Sequence, residues 1–199
     1  MEQTELKTGE IREFFDRRAE SWDGMYPDRP EKIAAIVTLA GVRRGTRVAD
    51  IACGTGVLFP EILSRDPDSL LGVDLSEKMI DRARSKFSDR RLRLTASDCF
   101  KVRETGFDTV LLYNAYPHFP DKRRLAEYTA GLLKPGGRLM VAHGESRETI
   151  NNRHGGSMTG RISWELRPAK EEAAEFADLF KIDMLADTAS IYFFSGLKK

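Results

Sequence analysis

The stretch "VADIACGTGVL", Val48 to Leu58, constrains the fold more than any other part of the chain. An apolar run ends in an acid, Asp50. Gly54 and Gly56 follow, one residue apart, and then apolar residues resume. The pattern reads as a buried strand passing through bare backbone into a helix. Glycine at 54 and 56 lets main chain approach a ligand that any Cβ would block. An acid beside such a loop points to a polar, flat ligand.

The surrounding pattern says what kind of sheet holds this loop. "RVADIA", "LLGVDL", "LRLTASD", "FDTVLLYN" and "GRLMVAH" read as strands, most of them continuously apolar, and helical segments separate them. One such helix is expected from Val57 to about Ser64. A second is "SEKMIDRARSKF", N-capped by Ser76 with Met79, Ile80, Ala83 and Phe87 inward. A third, "DKRRLAEYTAGLL", is stopped by "KPGG". Apolar strands alternating with helices predict a parallel sheet covered on both faces. After the helix "AKEEAAEFADLF", the runs "KIDMLAD" and "SIYFFSGL" are too close for a parallel crossover and predict an antiparallel hairpin. The fold class is therefore α/β: a Rossmann-like, doubly wound, mostly parallel seven-stranded sheet closed by an antiparallel C-terminal hairpin.

Two helices are expected before the sheet. "EIREFFDRRAESWD" places Ile11, Phe14, Phe15, Ala19 and Trp22 on one face, and "DRPEKIAAIVTLAGV" runs from Asp28 and Pro30 to Gly41. Residues 1–44 then form an N-terminal helical lid on a core of residues 45–199, all within one domain, since 199 residues suffice for a single full core. The paired glycines of "NNRHGGSMTG" mark the expected loose segment.

Charge narrows the partners. The net charge of +1 leaves no large basic footprint, so a nucleic-acid partner is not expected. No apolar run approaches a membrane span, and the first residues lack a signal-peptide core, so a cytoplasmic protein with no membrane partner is expected. Cys53 and Cys99 show no metal spacing, and no metal site is expected.

In a doubly wound sheet, ligands sit at the carboxyl ends of strands where the strand order reverses. Asp74 closes the second strand 20 residues after Gly54, a spacing that suits a ribose diol. A dinucleotide fingerprint wants a small residue three positions after Gly56, and Phe59 stands there. A phosphate-loop lysine is absent. Asp50 instead suits a cationic cofactor.

Taken together, "VADIACGTGVL", "LLGVDLSEKMI", "ASDCF", "FDTVLLYNAYPHFPD" and "LLKPGGRLMVAH" resemble, in order, the motifs of the class I S-adenosylmethionine-dependent methyltransferases. The resemblance covers roughly Val48 to His143. It implies S-adenosylmethionine as cofactor, S-adenosylhomocysteine as product and an in-line methyl transfer to a small-molecule acceptor. It also implies roles. Asp50 lies near the methionine amino group, and Ala52, Cys53, Gly54 and Gly56 line that portion and the ribose. Asp74 holds the ribose hydroxyls. Asp98 accepts from the adenine amine beside the Cys99 backbone, and Leu75, Met79 and Phe100 pack the adenine. Asn114 lies near the reacting methyl group.

Histidines at the active-site end, His118, His143 and His154, are the candidate bases. Arg147 is a candidate anchor for an anionic acceptor, with the alternative that Ser146 caps a short helix there and Arg147 faces water. Trp22, Tyr26 and Tyr116 are candidates to line the acceptor pocket. The alternatives to a methyltransferase are a nicotinamide-dependent oxidoreductase and a non-catalytic S-adenosylmethionine-binding scaffold.

Overall fold

A computed structural model describes residues 2–25, 29–154 and 162–199. It contains a sheet of seven strands: β1 Arg47–Ile51, β2 Ser69–Asp74, β3 Leu92–Ala96, β4 Phe107–Tyr113, β5 Leu133–His143, β6 Phe180–Asp187 and β7 Tyr192–Lys198. Their order is β3-β2-β1-β4-β5-β7-β6. β1 to β5 pair in parallel, and β7 runs antiparallel between β5 and β6. The chain steps outward from β1 to β3, then returns to place β4 on β1's other side. The order reverses between β1 and β4, so a crevice opens above their carboxyl ends.

The β1 residues alternate between the two faces. Ala49 and Ile51 pack with Leu125 and Ala126 of α6 (Lys122–Leu132). Val48 packs on the opposite face with Ile36 of α3 (Pro30–Leu39), Ile62 of α4 (Phe59–Ser64) and Ile80 of α5 (Glu77–Lys86). The alternation puts Asp50 on the α3–α4–α5 side, in register with Gly72 and Leu111.

Several boundaries differ from the sequence expectation. The N-terminal segment makes two helices, α1 (Glu2–Asp16) and α2 (Trp22–Met25). Tight bonds from Arg18 N–H to Phe15 C=O and from Ser21 N–H to Arg18 C=O turn the chain between them, while Ala19 is buried. Helix α4 starts at Phe59, two residues later than expected, and an i→i+3 bond from Phe59 N–H to Gly56 C=O turns the chain across Val57 and Leu58. "LLKPGG" joins the sheet through Leu133, with a register shift before Arg138, so β5 begins earlier than "GRLMVAH". Regular helix in "AKEEAAEFADLF" stops early as α8 (Ala169–Ala174), and the chain tightens into i→i+3 turns. Within "NNRHGGSMTG", residues 151–154 belong to helix α7 (Arg147–His154), and residues 155–160 lie outside the described residues.

A buried carboxylate ties α8 to the turn after β4 and to an exposed arginine. Glu172 is 1% exposed. It accepts from the Tyr116 hydroxyl at 2.8 Å and from the Arg167 guanidinium at 3.1 Å. Burial alone would raise its carboxyl, but the bonds from Arg167 and Tyr116 outweigh burial and hold it below the ordinary 4.5. Glu172→Ala leaves the Tyr116 hydroxyl buried without its acceptor and should destabilise by about 1–3 kcal/mol. Because the folded carboxyl is held low, its contribution is present above pH 4.5 and lost on acidification. Thermal melts of both proteins should therefore differ most near neutrality and converge in acid; a gap that widens in acid contradicts this role.

Candidate active site

The site is built at the crevice from four strand exits. After β1, Ala52 (φ 58), Gly54 (φ 54) and Gly56 (φ 86) all take left-handed backbone. Ala52 bears a Cβ there, a strained conformation that marks the loop as constrained by its surroundings. The room beside Gly56 is taken by aromatic carbon. A Cβ on Gly56 would lie 2.4 Å from Phe59 Cδ2, and one on Gly72 would lie 2.7 Å from Phe59 Cζ. Phe59 is thus the large residue that two glycines admit, and its ring meets Phe87 edge-on at 5.4 Å. Gly54 differs: among the described residues the nearest atom to its added Cβ is Trp22 Nε1 at 4.0 Å, so a Cβ there is not crowded.

After β2, Asp74 braces this loop. Its Oδ2 accepts from Gly54 N–H and its Oδ1 from Ser76 N–H, both at 2.8 Å. Burial raises its carboxyl to about 6 despite those two bonds, and Asp16 adds to the rise. Asp50 is 1% exposed, and its Oδ1 has no hydrogen-bond partner. Burial first, and Asp74 second, raise it well above 3.8. Among the described residues no cation pairs with either acid, and buried carboxylates so placed attract positive charge. Cys53 packs beside them, its thiol pushed up by burial and by both acids, so it is a small hydrophobe rather than a nucleophile.

After β3, Asp98 caps a single 3-10 turn, Cys99–Lys101, accepting from Phe100 N–H at 3.1 Å. Cys99 is buried and its thiol is pushed up to about 12, chiefly by burial. The Phe100 ring packs against Tyr128 at 5.1 Å, with the Arg124 guanidinium 4.0 Å from its centroid. Leu75 is half-buried and Met79 is buried on α5. After β4, Asn114 (φ 54) is exposed and accepts from Gly144 N–H at 3.1 Å.

The N-terminal helices close over this loop. Asp16 of α1 accepts from Ser76 Oγ at 2.5 Å. Asp23 of α2 bonds Thr55 Oγ1 and pairs with Lys86 at 2.8 Å. Phe15 bridges Trp22 and His118 edge-on at 5.4 and 5.0 Å. The sequence reading found the helices but missed Asp16, Asp23 and Thr55. Lys32 was missed as well: it donates to Gly144 C=O at 2.6 Å and Ser190 C=O at 2.7 Å, pinning α3 to the β5 exit and the hairpin turn.

The acceptor-side candidates separate. Tyr116 is fully buried, committed to Glu172 and packed on Phe194, so it belongs to the core and not to a pocket wall. Arg147 pairs with Asp187 at 3.1 Å on the rim, at the start of α7, which Ser146 caps through Thr149 N–H. His143 is 2% exposed against Tyr192. His118 has Nδ1 2.6 Å from Ile162 C=O and its ring on Phe15. Tyr26 and the side chain of His154 lie outside the described residues. Among the described residues, no three His, Cys, Asp or Glu side chains are grouped to hold a metal. None of their helices is long and apolar enough to cross a membrane.

Comparison with known proteins follows the same outline. A family described as a methyltransferase domain matches residues 48–137. The chain is 27% identical over 142 residues to the ubiquinone biosynthesis O-methyltransferase of Coxiella burnetii (strain Dugway 5J108-111), covering 67% of this chain and 60% of that protein. The corresponding protein of Xylella fastidiosa (strain 9a5c) is 29% identical over 131 residues, covering 61% and 53%. The chain thus spans less than two thirds of the length of these relatives. Magnesium protoporphyrin IX methyltransferase from Synechocystis PCC 6803, solved with bound S-adenosylmethionine, superposes with a TM-score of 0.72 at 16% identity over 97% of each chain. The methyltransferase solved with the Haloferax volcanii Trm112 activator superposes at 0.76, with 16% identity over 95% of this chain and 97% of that one. At such identities the structural likeness carries the fold.

Proposed function

We propose that the chain is a class I S-adenosylmethionine-dependent methyltransferase, a reading that its methyltransferase-domain match and its methyltransferase relatives support, and that it transfers a methyl group from S-adenosylmethionine to a small-molecule acceptor. The observation that carries this reading is the pair of buried acids, Asp50 and Asp74, flanking a left-handed glycine loop that is uncrowded at Gly54 among the described residues. The residues present fit a cationic nucleoside. Asp50 Oδ1 lacks a partner and suits an ammonium group. Asp74 uses one acceptor site on each oxygen for backbone, which leaves lone pairs for a ribose diol. Asp98 and Phe100 stand at the next strand exit, where the adenine would lie.

When bound, the cofactor supplies an electrophilic methyl group on a sulfonium. The protein's part is alignment and exclusion of water. Phe15 and Trp22 roof the loop, and Asp16 and Asp23 hold that roof down. Asn114 keeps the β4 exit in register with β5 through Gly144. The names of the O-methyltransferase relatives and the half-buried Phe15–Trp22–His118 cluster support an acceptor with a flat, apolar face. His118 and His143 are the bases available to a hydroxyl acceptor from the described side chains.

Calorimetric titration tests the cofactor. S-adenosylhomocysteine should bind with a micromolar constant while NAD gives no heat, because the Phe59 ring takes the room a third small residue would leave beside a pyrophosphate. Binding of NAD in preference to S-adenosylhomocysteine overturns the proposal. Transfer of labelled methyl from S-adenosylmethionine into a metabolite pool separates an enzyme from a scaffold.

A further inference from the structure

Asp50 is a carboxylate where a carboxylate is costly. It is 1% exposed, Oδ1 lacks a hydrogen bond, and its strand neighbours in register are Gly72 and Leu111. An unpaired buried charge is ordinarily relieved by protonation. Among the described residues, the charged group acting on it is itself an acid. Asp74 faces it from β2 and Cys53 from the glycine loop, and Asp16 of α1 acts on Asp74 in turn. Helix α5 contributes the Ser76 N–H, which bonds Asp74, and β4 contributes apolar Leu111.

The two acids are not equivalent. Asp74 receives two backbone N–H bonds, which favour its ionised form, whereas Asp50 Oδ1 receives none. Of the pair, Asp50 therefore holds a proton more readily.

We propose that the empty site keeps one proton on the Asp50–Asp74 pair, chiefly at Asp50, and that the cofactor's α-ammonium group expels it on binding. The carboxyl O–H bond breaks, the proton passes to solvent, and the carboxylate left behind pairs with the ammonium. Binding is thereby coupled to pH, with affinity rising as pH rises and levelling once the empty pair is already ionised. The raised carboxyls of Asp50 and Asp74 agree with this order. The coupling rests on the cofactor reading given above.

The test is titration with S-adenosylhomocysteine at about pH 6.5 in phosphate and in imidazole, whose ionisation heats differ. Wild type should release about one proton per ligand bound, and affinity should fall up to tenfold per unit of acidification. Asp50→Asn should release almost none. A ligand-free measurement stands beside it. Since the folded carboxyl is raised, the wild type loses stability as pH climbs from the unfolded value towards the folded one, so Asp50→Asn should gain in relative melting temperature as pH rises from about 4. Wild-type binding without proton release, or a pH-independent gap between the two melting temperatures, overturns the coupling alone. No binding of S-adenosylhomocysteine at any pH overturns the cofactor reading and the coupling with it.

Discussion

Gly56→Ala lowers the melting temperature by about 5–15 °C and removes cofactor binding. Two costs add. The residue has φ 86, where a side chain is strained by about 1–2 kcal/mol. Its new Cβ would also stand 2.4 and 2.5 Å from two carbons of the Phe59 ring and 2.9 Å from Phe87 Cε2. The Phe59 ring cannot swing aside, since it is fully buried and also fills the space beside Gly72. Overpacking of this kind costs about 1–3 kcal/mol more. Gly54→Ala is the informative contrast. It shares the left-handed backbone, but among the described residues nothing lies closer to its Cβ than Trp22 at 4.0 Å. Its melting temperature should drop by only the strain, while its methyl group intrudes on the space offered to the cofactor. Calorimetric melts with and without S-adenosylhomocysteine read both effects. A Gly56→Ala protein as stable as wild type would show that Phe59 is free to move and that the loop is not set by it.

The sheet was legible in the sequence because its signals are local. Most strands carry an apolar run, and most turns carry their own glycine, proline or cap. Ser76 accepts from Met79 N–H as an N-cap should, and "KIDMLAD" and "SIYFFSGL" pair antiparallel as their short connection demands. Asp50, Gly54, Gly56 and Asp74 were legible for the same reason: they sit at fixed offsets around one strand–loop–helix unit. Contacts between distant segments were not. Asp23 meets Thr55 and Lys86, and Lys32 reaches Gly144 and Ser190, across gaps that no periodicity spans. Tyr116 illustrates the converse error. Its neighbours in "NAYPHFP" place it at a strand exit beside the site, yet a partner 56 residues away, Glu172, draws its hydroxyl into the core. The break between α1 and α2 was hidden too, because Ile11, Phe14, Phe15, Ala19 and Trp22 fit a single helical face while Asp16 is held by Ser76 of a different element.

Asp74→Ala should weaken S-adenosylhomocysteine binding by about a hundredfold, equivalent to about 3 kcal/mol, while leaving the fold intact. Charge-assisted hydrogen bonds to a pair of hydroxyls account for most of that loss. The remainder is organisation of the loop. Asp74 receives the N–H groups of both Gly54 and Ser76 at 2.8 Å, so it positions the glycine loop against the start of α5. Stability responds in the opposite sense to affinity. The carboxyl lies near 6 in the folded protein, above its ordinary 3.8, so ionising it opposes folding as pH rises through that interval. Removing it relieves this penalty but frees two N–H groups, and the two changes offset near pH 7. Asp74→Asn separates the contributions: its amide oxygen keeps one backbone bond and its neutral charge removes the repulsion from Asp50. It should bind more tightly than Asp74→Ala and more weakly than wild type. Equal affinity for Asp74→Asn and wild type would assign Asp74 to bracing the loop alone, and unchanged affinity in Asp74→Ala would move the ribose elsewhere in the crevice.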